Sequence, residues 1–290
     1  MHAEQATTRE PADAATAWLS LHARMDGRIK IFVAPSCRES SNRIELSRGT
    51  RLANLCETTD LIHGVAYEQG ARLPCEPWRR PTQEEADSLI VTEVPRNMAT
   101  SVAIVKLPGE LSDDRRQAIR SGNAESVELN LLQPLRAICE FGEPLHYIGP
   151  SKNPGNLKTI TINRDIGRYI GLHVDTWDRL GLDSRHLATN RICVNIGNDD
   201  RYLLFLPLSL TQIASVLSEK MGPDWKAPQR LTVIGRQFME RFPDLPVIKC
   251  RHAPGEAYVA PTENLVHDGS SVGQSGMDEQ FTVRGHIRPL

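Results

Sequence analysis

Tyr169-Ile-Gly-Leu-His-Val-Asp-Thr-Trp177 reads as a strand that carries His173 and Asp175 on one face. Side chains alternate across a strand, so residues two apart point the same way, and an imidazole and a carboxylate so placed can grip one metal ion. The third ligand has to come from far along the chain, and His267 in Asn264-Leu-Val-His-Asp-Gly269 is the candidate. Two histidines and one carboxylate on one octahedral face leave the remaining positions open for reacting molecules. The spacing alone carries little weight, because 9 His and 36 Asp plus Glu among 290 residues give about one His-x-(Asp/Glu) by chance. His2-Ala3-Glu4 is one such match, so the case rests on what surrounds the motif.

From Lys158 onward every apolar run has strand length and turn punctuation. The expected strands cover 158–163, 167–177, 191–197, 202–208, 247–252, 256–260, 264–270 and 280–288. Eight short strands predict a double-sheet jelly roll, which limits exposed edges by wrapping two sheets face to face. One interruption, residues 211–242, reads as helical, with Ile213, Val216 and Leu217 and then Val233, Ile234 and Phe238 as apolar stripes. It forms an insertion between the fourth and fifth strands. The fold class expected is α+β, with a jelly-roll core over 151–290 and a mixed α/β region over 1–150 packed on it.

Within that first region, residues 12–24 have helical spacing and 28–34 a strand pattern stopped by Pro35. Residues 88–94 and 100–107 read as strands, each followed directly by a proline, and 75–81 as a loop. Ser112 is an N-cap followed by two acids suited to the positive end of a helix. Residues 125–141 read as helix, kinked or divided by Pro134, with Gly142 as C-cap.

A net charge of -2 gives no pull towards nucleic acid or anionic membrane. No apolar run approaches the roughly 20 residues that a membrane helix needs, and the N-terminus lacks the basic-then-apolar layout of a secretory signal. A cytoplasmic location is therefore expected. The six cysteines are scattered without Cys-x-x-Cys, which speaks against a zinc knot. Cys193 and Cys250, in apolar runs, are expected as free buried thiols.

Taken in order, His173-Val-Asp175 on the second strand, the Ala253-Pro-Gly-Glu256 turn, His267 on the seventh strand and Phe281-Thr-Val-Arg284 on the eighth form a recognisable set. Over about residues 158–290 the chain resembles the double-stranded β-helix core of Fe(II)/2-oxoglutarate-dependent oxygenases. The resemblance implies Fe(II), 2-oxoglutarate as cosubstrate and O₂, with His173, Asp175 and His267 as the catalytic metal ligands. It also implies Arg284 as the partner of the cosubstrate's distal carboxylate, since a guanidinium offers a planar fork. Thr282, Arg284, His286 and Arg288 share a face by alternation, so Thr282 adds a hydroxyl there and Arg288 is the fallback cation. A carboxylate at position 175 leaves no place for a halide, which favours hydroxylation or a related oxidation over halogenation.

The expected substrate is a small molecule such as an amino acid or natural-product intermediate. Arg164, Arg168 and Arg191 lie near the expected strands, where they can equally hold an anionic group or be solvated. Tyr169, Trp177 and Tyr258 are read as barrel packing, and His252 and His286 as non-ligands. Two other classes stay open. One is a cupin-like metalloenzyme that does not use 2-oxoglutarate, disfavoured by the absence of a His-x-His pair; the other is a non-catalytic jelly-roll binding module.

Overall fold

A computed structural model describes residues 28–37, 43–54 and 64–290. The helix expected at 12–24, and Cys56, lie outside the described residues. The first half carries β1 (Lys30–Val33), β2 (Ile44–Leu46), β3 (Thr50–Leu52), β4 (Tyr67–Pro74), β5 (Ile90–Val91), β6 (Ser101–Lys106) and β7 (Cys139–Asn153). There follow β8 (Ile162–Asn163), β9 (Arg168–Gly171), β10 (Asn190–Asn195), β11 (Arg201–Ser209), β12 (Ile248–His252), β13 (Glu256–Ala260), β14 (Leu265–Ser270) and β15 (Asp278–Pro289).

A seven-stranded sheet has the order β5-β1-β6-β13-β10-β15-β7, and a four-stranded sheet the order β14-β11-β12-β2. A third sheet, β3-β4-β9-β8, also has four strands. The period-two alternation of β10, β13 and β15 explains how the large sheet is used. Ile192, Val194, Val259, Phe281 and Val283 share one core with residues of the helical run at 113–136. Cys193 and Tyr258 share another core with Leu203, Phe205, Cys250 and Val266 of the second sheet. With apolar neighbours on both faces, a strand reads as a continuous apolar run, as Leu203-Leu-Phe-Leu206 does.

The helices Leu210–Met221 and Thr232–Arg241 interrupt the chain between β11 and β12, where the sequence places them. Ser209 starts the first of these with a capping box, in which its hydroxyl accepts from the Gln212 N–H. Ile213, Leu217, Ile234 and Phe238 are buried. Ser112 caps Asp113–Arg120 as expected. Among the described residues no helix is long and apolar enough to cross a membrane, and Cys37, Cys75, Cys139, Cys193 and Cys250 are free.

Several expected elements differ. Residues 88–94 do not form a strand: Gln83–Leu89 is helical, and only Ile90–Val91 pairs with β1. The cause is the Thr82 capping box, in which Glu85 accepts from the Thr82 N–H at 2.8 Å and Thr82 from the Glu85 N–H at 3.2 Å. The disturbance expected at Pro134 takes the form of a π-turn, Glu128–Leu132, between the helical segments Ala124–Val127 and Gln133–Arg136. Gly142 caps no helix, because the helical run ends at Arg136 and Gly142 lies inside β7.

β7 is the element that the sequence hides. It pairs with β15 from Asn153↔Asp278 to Cys139↔Pro289 with two register shifts, and so runs across the boundary drawn at residue 150. Pro144 and Pro150 lack a donor for a second neighbour, a defect that only an edge strand tolerates, and β7 is the edge of its sheet. The strand expected at 158–163 shrinks to Ile162–Asn163, and that at 167–177 stops at Gly171.

β15 lies between β10 and β7 and hydrogen-bonds to both. Deleting residues 280–290 removes a central strand and uncovers both cores, so the truncated protein is expected to be insoluble or to lose its cooperative thermal unfolding transition. Circular dichroism melting checks this.

Candidate metal centre

Gly171 ends β9 with φ 68°, and a Cβ there would lie 2.5 Å from the carbonyl oxygen of Arg72. Only glycine can make this turn against a neighbouring backbone. Beyond it the chain leaves the β3-β4-β9-β8 sheet and joins β14 instead. The His173 N–H donates to the His267 carbonyl at 2.9 Å and the His267 N–H returns the bond at 2.7 Å. The Asp175 N–H then donates to the Thr262 carbonyl at 3.1 Å. His173 and His267 are thus a directly opposed antiparallel pair, and their side chains leave the same face.

The donor atoms of His173, Asp175 and His267 all lie within 4.8 Å of one another. His173 Nε2 is 3.6 Å from Asp175 Oδ1, and His267 Nε2 is 3.8 Å from Asp175 Oδ2. Both imidazoles are held in the same way. His173 Nδ1 donates to the Gly171 carbonyl at 2.8 Å and His267 Nδ1 to the Leu265 carbonyl at 3.0 Å. Each bond assigns the proton to Nδ1 and leaves the Nε2 lone pair for an ion, the outer support that metal-binding histidines require.

Three further groups surround the donors. Arg191 Nη2 donates to Asp175 Oδ2 at 2.7 Å. Buried Asp268 sits behind His173, with Oδ2 3.8 Å from Nδ1, while its Oδ1 accepts from the Thr161 hydroxyl at 2.7 Å. Fully buried Glu263 accepts from the Trp177 N–H at 2.6 Å and pairs with Arg185, so it pins the loop that follows Asp175.

Burial opposes charge on Asp175, but the Arg191 guanidinium and the two imidazoles outweigh it and hold the carboxyl well below its usual range. Burial pushes His267 down to about 3, with the His173 and Arg191 charges acting the same way. Burial also disfavours the His173 cation, yet the nearby Asp175 and Asp268 carboxylates raise its pKa overall. Asp268 is pushed up to about 6 by burial.

The other expected site residues fall in three places. Thr282 and Arg284 are buried on β15, opposite Cys193 and Arg191. Arg284 Nη2 donates to Asp178 at 2.5 Å and to the Thr189 hydroxyl at 2.8 Å, and Glu263 lies 3.6 Å away. Arg288 does not continue this buried face. It is half exposed, paired with Glu140 of β7, and lines a separate cavity of about 480 Å³; alternation holds along β15, since Ile287 shares the core of Phe281 and Val283, but the face that buries Thr282 and Arg284 is open to solvent from His286 on.

Tyr169 and Tyr258 are buried as expected. Trp177 is not packing: it is 58% exposed and lines the cavity beside His173 and Asp175. His252 is buried against Tyr258, and His286 is exposed.

No known family description matches the chain, and no curated protein matches it.

Metal can bind only through a neutral Nε2. His267 is already neutral over the working pH range, so one proton, that of His173, competes with the ion. Because the His173 pKa is raised, affinity is expected to be full at alkaline pH and to fall as pH drops through a value above about 6.5, by about one decade per pH unit, not two. Calorimetric titration with Co(II) at a series of pH values checks this; a slope of two would mean that both imidazoles titrate.

Proposed function

We propose that the protein is an Fe(II)- and 2-oxoglutarate-dependent oxygenase that oxidises, and in the simplest case hydroxylates, a small molecule. The observation that carries this reading is the donor set, two imidazoles with free Nε2 atoms and one ionised carboxylate within 4.8 Å. A compact facial set of this composition suits iron and leaves positions open for reactants.

Strand pairing supports a jelly-roll core. Counting β7 first, the 171–175 segment second and then β10 to β15, the first pairs with the eighth, the second with the seventh, the third with the sixth and the fourth with the fifth. That is the pairing of one long antiparallel ribbon rolled into two facing sheets. The sequence count had begun one element too late, at 158–163.

Bound Fe(II), with 2-oxoglutarate and O₂, would supply the oxidant for a C–H bond and leave succinate and carbon dioxide. The chain itself orients and holds. Arg191 fixes the Asp175 carboxylate, and Glu263, Asp178 and Arg284 anchor the loop behind it. A dicarboxylate needs an inward guanidinium with bonding capacity to spare, and Arg284 is already taken by Asp178 and Thr189. Arg191 fits better on one count: its carboxylate partner is Asp175, which an ion would share, whereas the Nε atoms of both arginines lack a hydrogen-bond partner. Thr282 lies one strand away, with its hydroxyl 3.7 Å from the Cys193 sulfur.

Purified protein loaded with Fe(II) without oxygen, then given 2-oxoglutarate and O₂, is expected to release succinate in proportion to iron. His173→Ala and His267→Ala are expected to lose both iron and succinate while keeping a cooperative unfolding transition. Iron without succinate would favour a metalloenzyme of another kind, and no metal uptake a binding module. Arg191→Ala is expected to raise the 2-oxoglutarate KM by about tenfold or more, since an unpaired buried charge costs on the order of 2–5 kcal/mol. Arg288→Ala is expected to leave it unchanged.

A further inference from the structure

Beside the donor set lies a cavity of about 690 Å³, with His173 and Asp175 among its lining residues. Four arginines from separate stretches of chain also line it: Arg72 on β4, Arg179 in the loop after Asp175, and Arg230 and Arg236 from the insertion between β11 and β12. The acids among its lining residues are Glu68 and Asp175, and Asp175 belongs to the donor set. The cavity therefore carries an excess of positive charge within a chain whose net charge is -2.

The arginines keep bonding capacity in reserve. Arg72 is 3.4 Å from Glu240, which is half exposed, and Arg236 is 3.8 Å from Glu68. Long, partly exposed pairs of this kind contribute little and give way readily to a better acceptor. Arg179 and Arg230 are exposed, and among the described residues neither guanidinium has an ion pair or hydrogen bond.

Two backbone features accompany these side chains. Arg179 has φ 54°, a left-handed conformation that is costly for a residue with a Cβ and is concentrated at functional sites. Gly70 has φ 81°, a conformation that favours glycine, and lies beside the Arg236 guanidinium, whose Nη1 would be 2.9 Å from a Cβ there. All the cations among the lining arginines and lysines are arginine, the side chain whose fork matches phosphate and carboxylate oxygens in pairs. Exposed Trp177 and Ile166 supply an apolar wall to the same space.

We propose that this cavity binds the primary substrate, and that the substrate is a small organic anion with a phosphate or a pair of carboxylates held by Arg72, Arg179, Arg230 and Arg236. The charged end lies against the arginines, and the carbon to be oxidised faces His173 and Asp175. The position of the reacting carbon rests on the oxygenase reading; the anion site does not.

The test therefore uses metal-free protein. Pyrophosphate and tricarballylate are titrated by calorimetry at constant ionic strength, with propane-1,2,3-triol as the uncharged control. Saturable binding of at least one anion and none of the triol is expected, with the preferred anion separating a phosphate ligand from a carboxylate one. The double variant Arg179→Ala/Arg230→Ala is expected to weaken that binding by at least about tenfold, a change of about 1.4 kcal/mol. Arg164→Ala, which removes an exposed arginine that does not line the cavity, is expected to have no effect.

Absence of saturable binding, or equal loss in the double variant and in Arg164→Ala, would overturn the proposal. Iron and succinate measurements on the unaltered protein are independent of these titrations. Anion binding without succinate would count against the oxygenase alone, and succinate without anion binding against the anion site alone.

Discussion

Two backbone hydrogen bonds between His173 and His267 hold the proposed centre together. They are short and reciprocal, and they join residues that are close in no other sense, one just past a glycine turn and the other inside a buried strand. Everything else in the centre follows from this register. It sets two imidazoles side by side with ring centroids 4.8 Å apart, and it brings Asp175, two residues on, up to Thr262 at the start of the same hairpin arm. A slip of one residue would turn one ring to the opposite face from the other.

Burial gives this arrangement its electrical character. Water is largely excluded, so each charge needs a partner in the protein: Asp175 has Arg191, Glu263 has Arg185, and Asp178 has Arg284. Removing one member would leave its partner stranded, which costs more than the pair contributes when intact. The cavity outside departs from this balance, since its arginines outnumber the acids that could neutralise them.

How much of this was legible in the sequence depended on the kind of signal. The donors carried a spacing rule and apolar strands around it, and they do come together. Six of the eight expected C-terminal strands, from β10 to β15, lie close to where alternation and turn residues put them. β7 had only a broken signal, because apart from Cys139, Phe141 and Leu145 this edge strand lies mostly open to solvent, and its two prolines argue against a strand. Arg284 was correctly read as inward-facing, but its partners Asp178 and Thr189 were not visible, because alternation gives direction and not company. Asp268 and Glu263 are single acidic letters whose significance arises only from burial. The best clue to Glu263 was its place in the Thr262-Glu-Asn264 turn, directly before the strand that carries His267.

The glycine turn at Gly171 and the pair that follows it also bear on how the molecule comes apart in time. The segment docks on β14 across a sequence separation that encloses β10, β11, both inserted helices, β12 and β13, so its contacts are costly in loop-closure entropy until those elements have packed. A single bridged pair joins it to β14, so little else along that edge holds it in place. An ion clasped by its side chains would act on the unfolding barrier far more than on the rate of folding, working as a latch on a door already hung.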